Sequence, residues 1–374
     1  MTNEKQNEVS ENKEIPHEIN SVSDLSKILQ TLGEPEKGHT RFFRGHADKD
    51  WQMLPSIYRA KHLIKNEDKI IKDALTYCPD DFSPSDTRFE KLVKLQHYGY
   101  STRLLDLTTN MLVALYFSAQ SYKEEKFYSD EFKKLKDGEL IILDIPNEEI
   151  KYGDSDTVAI LSAISSQESS FVIEIKKGIK KVVEYSEILS KSDIDNILSL
   201  SNIKELLIKL KTEVREKLIV KYEREMSLNK EKSKNIFKNY KEFYDEINSI
   251  FNSQDQITKL LQDIRTDKPQ FTSNIDPKDF QRVLCVRAKL NNARISRQQG
   301  CFLLFGIGGS KLKSAAIPDE WQRLASNNQK ILVKAESKAD IKQELESFGI
   351  SKRTLFPELE AQAKEIMDYY KGQK

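Results

Sequence analysis

Leu95 to Thr108 gathers into 14 positions one histidine, two oppositely charged side chains (Arg103, Asp106) and five hydroxyls, among them Ser101 and Thr102. A strongly apolar run, Met111 to Phe117, follows at once. Stranding a charge away from water costs several kcal/mol or more, so polar groups set against such a run imply paired partners and a lined pocket. His97 titrates near neutral pH and suits acid–base work; its other reading is a satisfied polar ring beside Tyr98. Asp106 follows Arg103 by three positions, so the two would face each other on a helical turn, and Arg103 so oriented would join Arg44 in binding anionic ligand groups. In the alternative, Asp106 orients Arg44 or His97.

Two other stretches add chemistry. Arg44 ends the run Thr40-Arg41-Phe42-Phe43-Arg44-Gly45, and a guanidinium fork binds phosphate or carboxylate bidentately. Gly45 would let a ligand approach the backbone, or Arg44 pairs with Asp106 or Asp48 and is structural. Gln299, before Gly300, can hydrogen-bond a sugar or an amide but cannot act as a general base. Trp51 and Tyr58 could stack on a planar ligand or fill a core, and Arg59 adds a second cation nearby. The chain has no Walker loop, Gly-x-Gly-x-x-Gly, nucleophile elbow or metal-type His pair, and no metal ligands are assigned. Gly306-Ile307-Gly308-Gly309 lacks the Lys and Ser/Thr of a phosphate loop and reads as a turn.

These residues need elements to hold them. Strands are predicted around 40–45, 139–145, 280–286, 300–306 and 329–335, with an extended piece over 51–57. Helices are predicted around 21–29, 66–77, 85–97, 110–121, 339–347 and from Pro357 to about Tyr370. Ile197, Leu198, Leu200, Ile203, Leu206, Leu207 and Leu210 recur at helical spacing in a Lys/Glu-rich stretch free of Gly and Pro. The irregular interleaving gives an α+β class: a mixed sheet core with flanking helices and a long amphipathic helical insertion. The predicted organisation is a disordered tail over 1–20, a core in two parts over 21–179 and 271–374, and the insertion over 180–270. That insertion is either a solvated spacer or a surface for a protein partner.

The 374 residues carry a net charge of +1, which argues against a broad nucleic-acid or anionic-membrane footprint. No 18-residue apolar run is present, and Met1 to Ser21 lacks the apolar region of a secretory signal. Three isolated cysteines suggest neither a disulfide framework nor a zinc site, so a cytoplasmic protein without membrane attachment is expected.

Phe43-Arg44-Gly45, Pro55 to Arg59, Gln96 to Thr108 with Ala114 to Phe117, Gln298/Gln299-Gly300-x-Phe302 and Leu355 to Leu359 together resemble the FRG domain family in order and spacing. The resemblance runs from about 40 to 365 and names a domain rather than a reaction. Beneath it, an aromatic-Arg-Gly strand, a later hydroxyl-bearing segment and a third-strand Gln resemble the three-motif plan of ADP-ribosyltransferases. That plan implies NAD as substrate, Arg44 on a phosphate, Ser101 or Thr102 supporting the ribose and Gln299 in the third place. There the family has a Glu, so Asp106 or another acid would have to supply the charge. It implies an effector of bacterial or phage-defence type. The alternative is a non-catalytic module that binds a small-molecule or nucleotide ligand, or a protein, and signals through the insertion.

Overall fold

The computed structural model describes residues 15–121, 136–174, 176, 179–180, 189–200, 203–223 and 245–371. Among them, nine strands form one mixed sheet: β1 (Glu18–Ile19), β2 (His39–His46), β3 (Leu104–Thr108), β4 (Gly138–Pro146), β5 (Ile150–Tyr152), β6 (Val283–Arg287), β7 (Gly300–Phe305), β8 (Gln322–Arg323) and β9 (Ile331–Val333). Their order is β1-β9-β4-β2-β3-β7-β6-β5, with β8 sharing the outer edge of β4. Only β1–β9 and β5–β6 are parallel. The class is α+β, as the sequence implies.

The central strand β4, Gly-Glu-Leu-Ile-Ile-Leu-Asp-Ile-Pro, is covered on both faces, which explains its continuous rather than alternating apolar pattern. Leu140 and Ile142 face one cluster; Ile141, Leu143 and Ile145 face another. Against β2 and β4 lies α5 (Met111–Ser118), whose first turn is capped by the Asn110 side chain on the amides of Leu112 (2.9 Å) and Val113 (3.4 Å). A Cβ on Gly45 would lie 2.0 Å from the Ala114 carbonyl oxygen, and one on Gly138 2.1 Å from that of Ser118. The two glycines therefore let α5 lie on the sheet. Gly45 serves this packing, and it also lines the cleft described below.

Four elements before α5 set the rest: α1 (Val22–Leu32), α2 (Lys61–Lys65), α3 (Glu67–Tyr77) and α4 (Arg88–His97). A capping box, Thr87 with Glu90, starts α4. After β5, α6 (Asp156–Ala163) is buried against α4 and the sheet. The insertion contributes helices Lys191–Leu198, Ile203–Glu223 and Asp255–Asp267. Its apolar face, with Ile197, Leu206, Leu210, Phe251 and Leu260, joins the same core as Leu92 and Val93 of α4 and Val158 of α6. The stretch is thus no solvated spacer, because its long amphipathic faces close over the sheet's second half.

Three expectations need correction. Residues 15–20 of the expected tail are structured: Ile19 is buried and β1 pairs with β9; residues 1–14 lie outside the described part. Residues 104–108, expected to allow a helical Arg103–Asp106 pair, form a strand, and the 51–57 piece is a loop ending in a turn at Ser56–Tyr58. Among the described residues no helix is long and apolar enough to cross a membrane.

Candidate functional site

The sheet splits at its middle. Strands β2 and β3 are neighbours but pair only at Phe43–Thr108, whereas β2 and β4 pair over eight positions. A cleft of about 340 Å³ occupies the split, lined by β2, β3 and β7, by α4 and α5, and by the helix Ala293–Arg297. Its polar wall comprises Arg44, Gln96, His97, Asp106, Thr108, Gln120, Arg294 and Gln298; Phe43, Trp51, Val93, Phe117 and Phe302 supply the apolar part. The volume is at the lower end of ligand pockets, roughly 300–1,000 Å³.

Arg44 stitches the split. Its Nη1 donates to the Asp106 carbonyl (2.6 Å) and its Nε to His46 Nε2 (3.0 Å). The nearest carboxylate oxygen, Asp106 Oδ2, is 4.0 Å away; the Arg44 side chain is 13% exposed and that of Asp106 59%. Arg41 on the same strand differs, pairing with both oxygens of Asp144 at 2.7 and 2.8 Å. Burial pushes the Arg44 pKa down to about 10, with Asp106 opposing the shift and Arg59 adding to it.

Asp106 is aimed by a short relay. The Thr102 hydroxyl donates to Gln96 Oε1 (2.7 Å), which turns the Gln96 amide nitrogen towards Asp106 Oδ2 (3.1 Å). Thr102 Oγ1 itself accepts from the Leu104 amide (3.1 Å). Thr102 is buried and acts on the cleft through Gln96.

His97 sits on the wall with Nε2 3.5 Å from Glu358 Oε1. Burial, then Arg294, hold its pKa below the ordinary histidine value, against the pull of Glu358. Arg294 lies with its guanidinium carbon 4.5 Å from the Phe356 ring centre and Nη1 3.9 Å from Glu358 Oε1. Both Glu358 oxygens are buried and lack a hydrogen bond. The C-terminal Phe356–Glu358 segment thereby backs the cleft's outer wall.

Of the residues singled out from the sequence, Arg44, Gly45, His97 and Asp106 meet in the cleft. Gln299 does not. It takes a left-handed backbone (φ 47°), which sends its side chain to Thr109 (3.4 Å) and a neighbouring groove, while Gln298 enters the cleft. Gln298 is held by its amide nitrogen on the Leu355 carbonyl (3.1 Å), and its own carbonyl accepts from Thr108 Oγ1 (2.7 Å). Gln299→Gly should therefore not lower stability, since glycine adopts this conformation without the roughly 1 kcal/mol strain of other residues. A fall in denaturation midpoint would contradict that placement.

Arg103 is not a ligand group. It is fully buried and donates Nε and Nη2 to Glu67 (2.9 and 2.5 Å) and Nη1 to the Phe305 carbonyl (3.2 Å). Strand geometry points it away from Asp106, so neither orients the other. Tyr58 belongs to that network, its pKa pushed up to about 12 by burial. Arg59 is exposed and holds the Leu54 carbonyl (3.2 Å), and half-buried Ser101 lies in the turn before β3; neither lines the cleft. Sequence reasoning missed Arg294, Gln120, His46 and Glu358 as site residues. Only Glu358 carried a signal, through the Leu355–Leu359 resemblance.

The molecule is therefore an α+β protein whose polar cleft lies in a split mixed sheet. Residues 39–126 match the FRG domain, and the chain carries that domain from β2 through α5. The match includes Arg44, Gln96, His97 and Asp106, and leaves Arg294, Gln298 and Glu358 to the later part of the chain. No curated protein and no solved structure matches the chain. Among the described residues no group of three or more His, Cys, Asp or Glu side chains could hold a metal ion.

Proposed function

We propose that the cleft binds a nucleotide-type small molecule. Arg44 and Arg294 would hold its phosphate, and Asp106, Gln96 and Gln298 its hydroxyls or base. The observation that carries this reading is Arg44, a largely buried cation whose hydrogen bonds go to a carbonyl and a neutral imidazole, with no carboxylate in bidentate contact. An incoming anion would satisfy it.

The enzyme form of the reading is ADP-ribosyl transfer from NAD, as in a defence effector. The bond between nicotinamide and ribose C1′ would break, nicotinamide leaving with the bonding pair. The oxocarbenium centre would then be attacked by an acceptor oxygen or nitrogen that loses its proton. Asp106, held by Gln96 and open to the cleft, is the carboxylate best placed to stabilise that positive charge. A second reading, a binding module without chemistry, draws support from the core shared by α4 and the insertion, through which ligand at Gln96 and His97 could reach a protein partner.

Thermal shift and calorimetry with NAD and ADP test the site. Arg44→Ala should weaken binding about 10- to 100-fold, the loss of one or two charge-assisted hydrogen bonds worth about 1.5–3 kcal/mol. Arg44→Lys, which keeps the charge and loses the fork, should fall between. Nicotinamide release that Asp106→Asn lowers by about 100-fold, well beyond its effect on NAD affinity, supports the enzyme. Binding without release favours the module, and absence of binding to either nucleotide overturns the reading.

A further inference from the structure

We propose that His46 and Glu139 are positioning residues for Arg44: a neutral His46 receives the Arg44 Nε–H on Nε2 and turns its own Nδ1–H towards Glu139. This rests on the reading of Arg44 as the anion-binding group. The chemistry of the donors fixes the tautomer. A guanidinium has only donors, so the 3.0 Å contact requires a lone pair on His46 Nε2, and the proton must then be on Nδ1. His46 Nδ1 lies 3.6 Å from Glu139 Oε2, facing it from the paired position on β4. Both side chains are buried, and Trp51 covers the imidazole edge-on at 6.0 Å between ring centres.

The groups around His46 define when the arrangement holds. Arg44 lies on its own strand, Glu139 on β4, and Arg59 acts from the loop before α2. Glu139 is further paired with Lys330 (2.9 Å), and Arg44 meets Asp106 of β3. Burial, followed by Arg44 and Arg59, depresses the His46 pKa below its ordinary 6.5, with Glu139 opposing. Protonation would place a donor against the Arg44 Nε–H and a second positive charge beside it, so Arg44 would lose its anchor. Anion binding should then fall on acidification below that ordinary value. Stability should fall first, from the ordinary value down to the depressed one, because there the unfolded chain takes up a proton at His46 that the folded chain refuses; anion affinity falls when the folded chain takes it up too.

Histidine nitrogen NMR reads the tautomer, and the Arg44 Nε–H resonance, assigned by its loss in Arg44→Lys, reads the contact. The expected result is an unprotonated Nε2 at neutral pH and an Arg44 Nε–H signal that disappears as His46 titrates. ADP affinity should drop at least tenfold across that titration. His46→Ala removes the acceptor and should weaken ADP binding at neutral pH; His46→Gln, which offers a carbonyl oxygen to the same Nε–H, should recover affinity relative to His46→Ala without this pH dependence. An Nε2–H tautomer, or an Arg44 signal indifferent to His46 titration, overturns the proposal. ADP that fails to bind at every pH removes the ligand reading instead, while the tautomer and Arg44 signals still decide the contact.

Discussion

Gly45→Ala should be among the most damaging single-methyl changes in this chain, with a loss of about 3 kcal/mol or more of stability. The added carbon would stand 2.0 Å from the Ala114 carbonyl oxygen and 2.5 Å from the Ser118 amide nitrogen. Both are main chain of α5, so no rotamer can relieve the overlap; the helix must lift from β2. That would drag Val113 and Phe117, which line the cleft, and open the core around Leu115. Urea denaturation measures the effect. Gly300→Ala is the control, because its nearest neighbour would be at 3.5 Å, an ordinary contact, although Gly300 also lines the cleft. If Gly45→Ala matched Gly300→Ala in midpoint, the packing role would be wrong and a ligand-side role for Gly45 would return. With the packing role correct, the Arg-Gly pair divides its labour: the arginine faces the split, and the glycine admits the helix that walls it.

Several parts of this arrangement were legible in the sequence. The apolar run in β4, the helix ending at His97 and the Lys/Glu-rich helices with periodic leucines are local patterns, and local patterns survive folding. Of Arg44, Arg103, Asp106 and Gln299, the four expected to share one pocket, only Arg44 and Asp106 meet there; the charge and hydroxyls just before the apolar α5 gave the enclosure of Asp106 and His97. Arg103 was misread because its partner, Glu67, lies 36 residues away on a helix that gave no sign of burial. Once 104–108 is a strand, spacing by three no longer brings Arg103 and Asp106 together. Gln299 was preferred to Gln298 although the two are chemically identical; only the left-handed turn at Gln299 decides which enters the cleft. His46 was overlooked because β2 alone does not reveal that Glu139 stands opposite.

Glu67→Gln should be more destructive than removal of either cation it serves. Glu67 is buried between Arg103 (2.5 Å) and Lys311 (3.2 Å), both with fully buried side chains. Lys311 also donates to the carbonyls of Ser165 and Gln167, tying the segment after β7 to that after α6. Replacing the carboxylate leaves two buried cations facing a neutral amide, and breaking a buried pair costs about 3–5 kcal/mol. Arg103→Met should cost less, since Glu67 keeps Lys311, and the two changes together should be far from additive. The acid–base behaviour separates this from a simple packing defect. Burial already holds the Lys311 pKa below its ordinary value, with Glu67 and, less strongly, Asp68 opposing; without Glu67 the main opposition is gone. The unfolded chain then binds a proton at Lys311 that the folded chain releases, so Glu67→Gln should regain stability as pH rises from neutral to mildly alkaline. Denaturation midpoints at both pH values, compared with wild type, measure it. A variant whose deficit is unchanged between them would mean that Lys311 does not depend on Glu67. ADP affinity per folded molecule should be nearly unchanged in Arg103→Met. This network braces β3 from behind through the Phe305 carbonyl, whereas Arg44 and Asp106 meet the ligand in front.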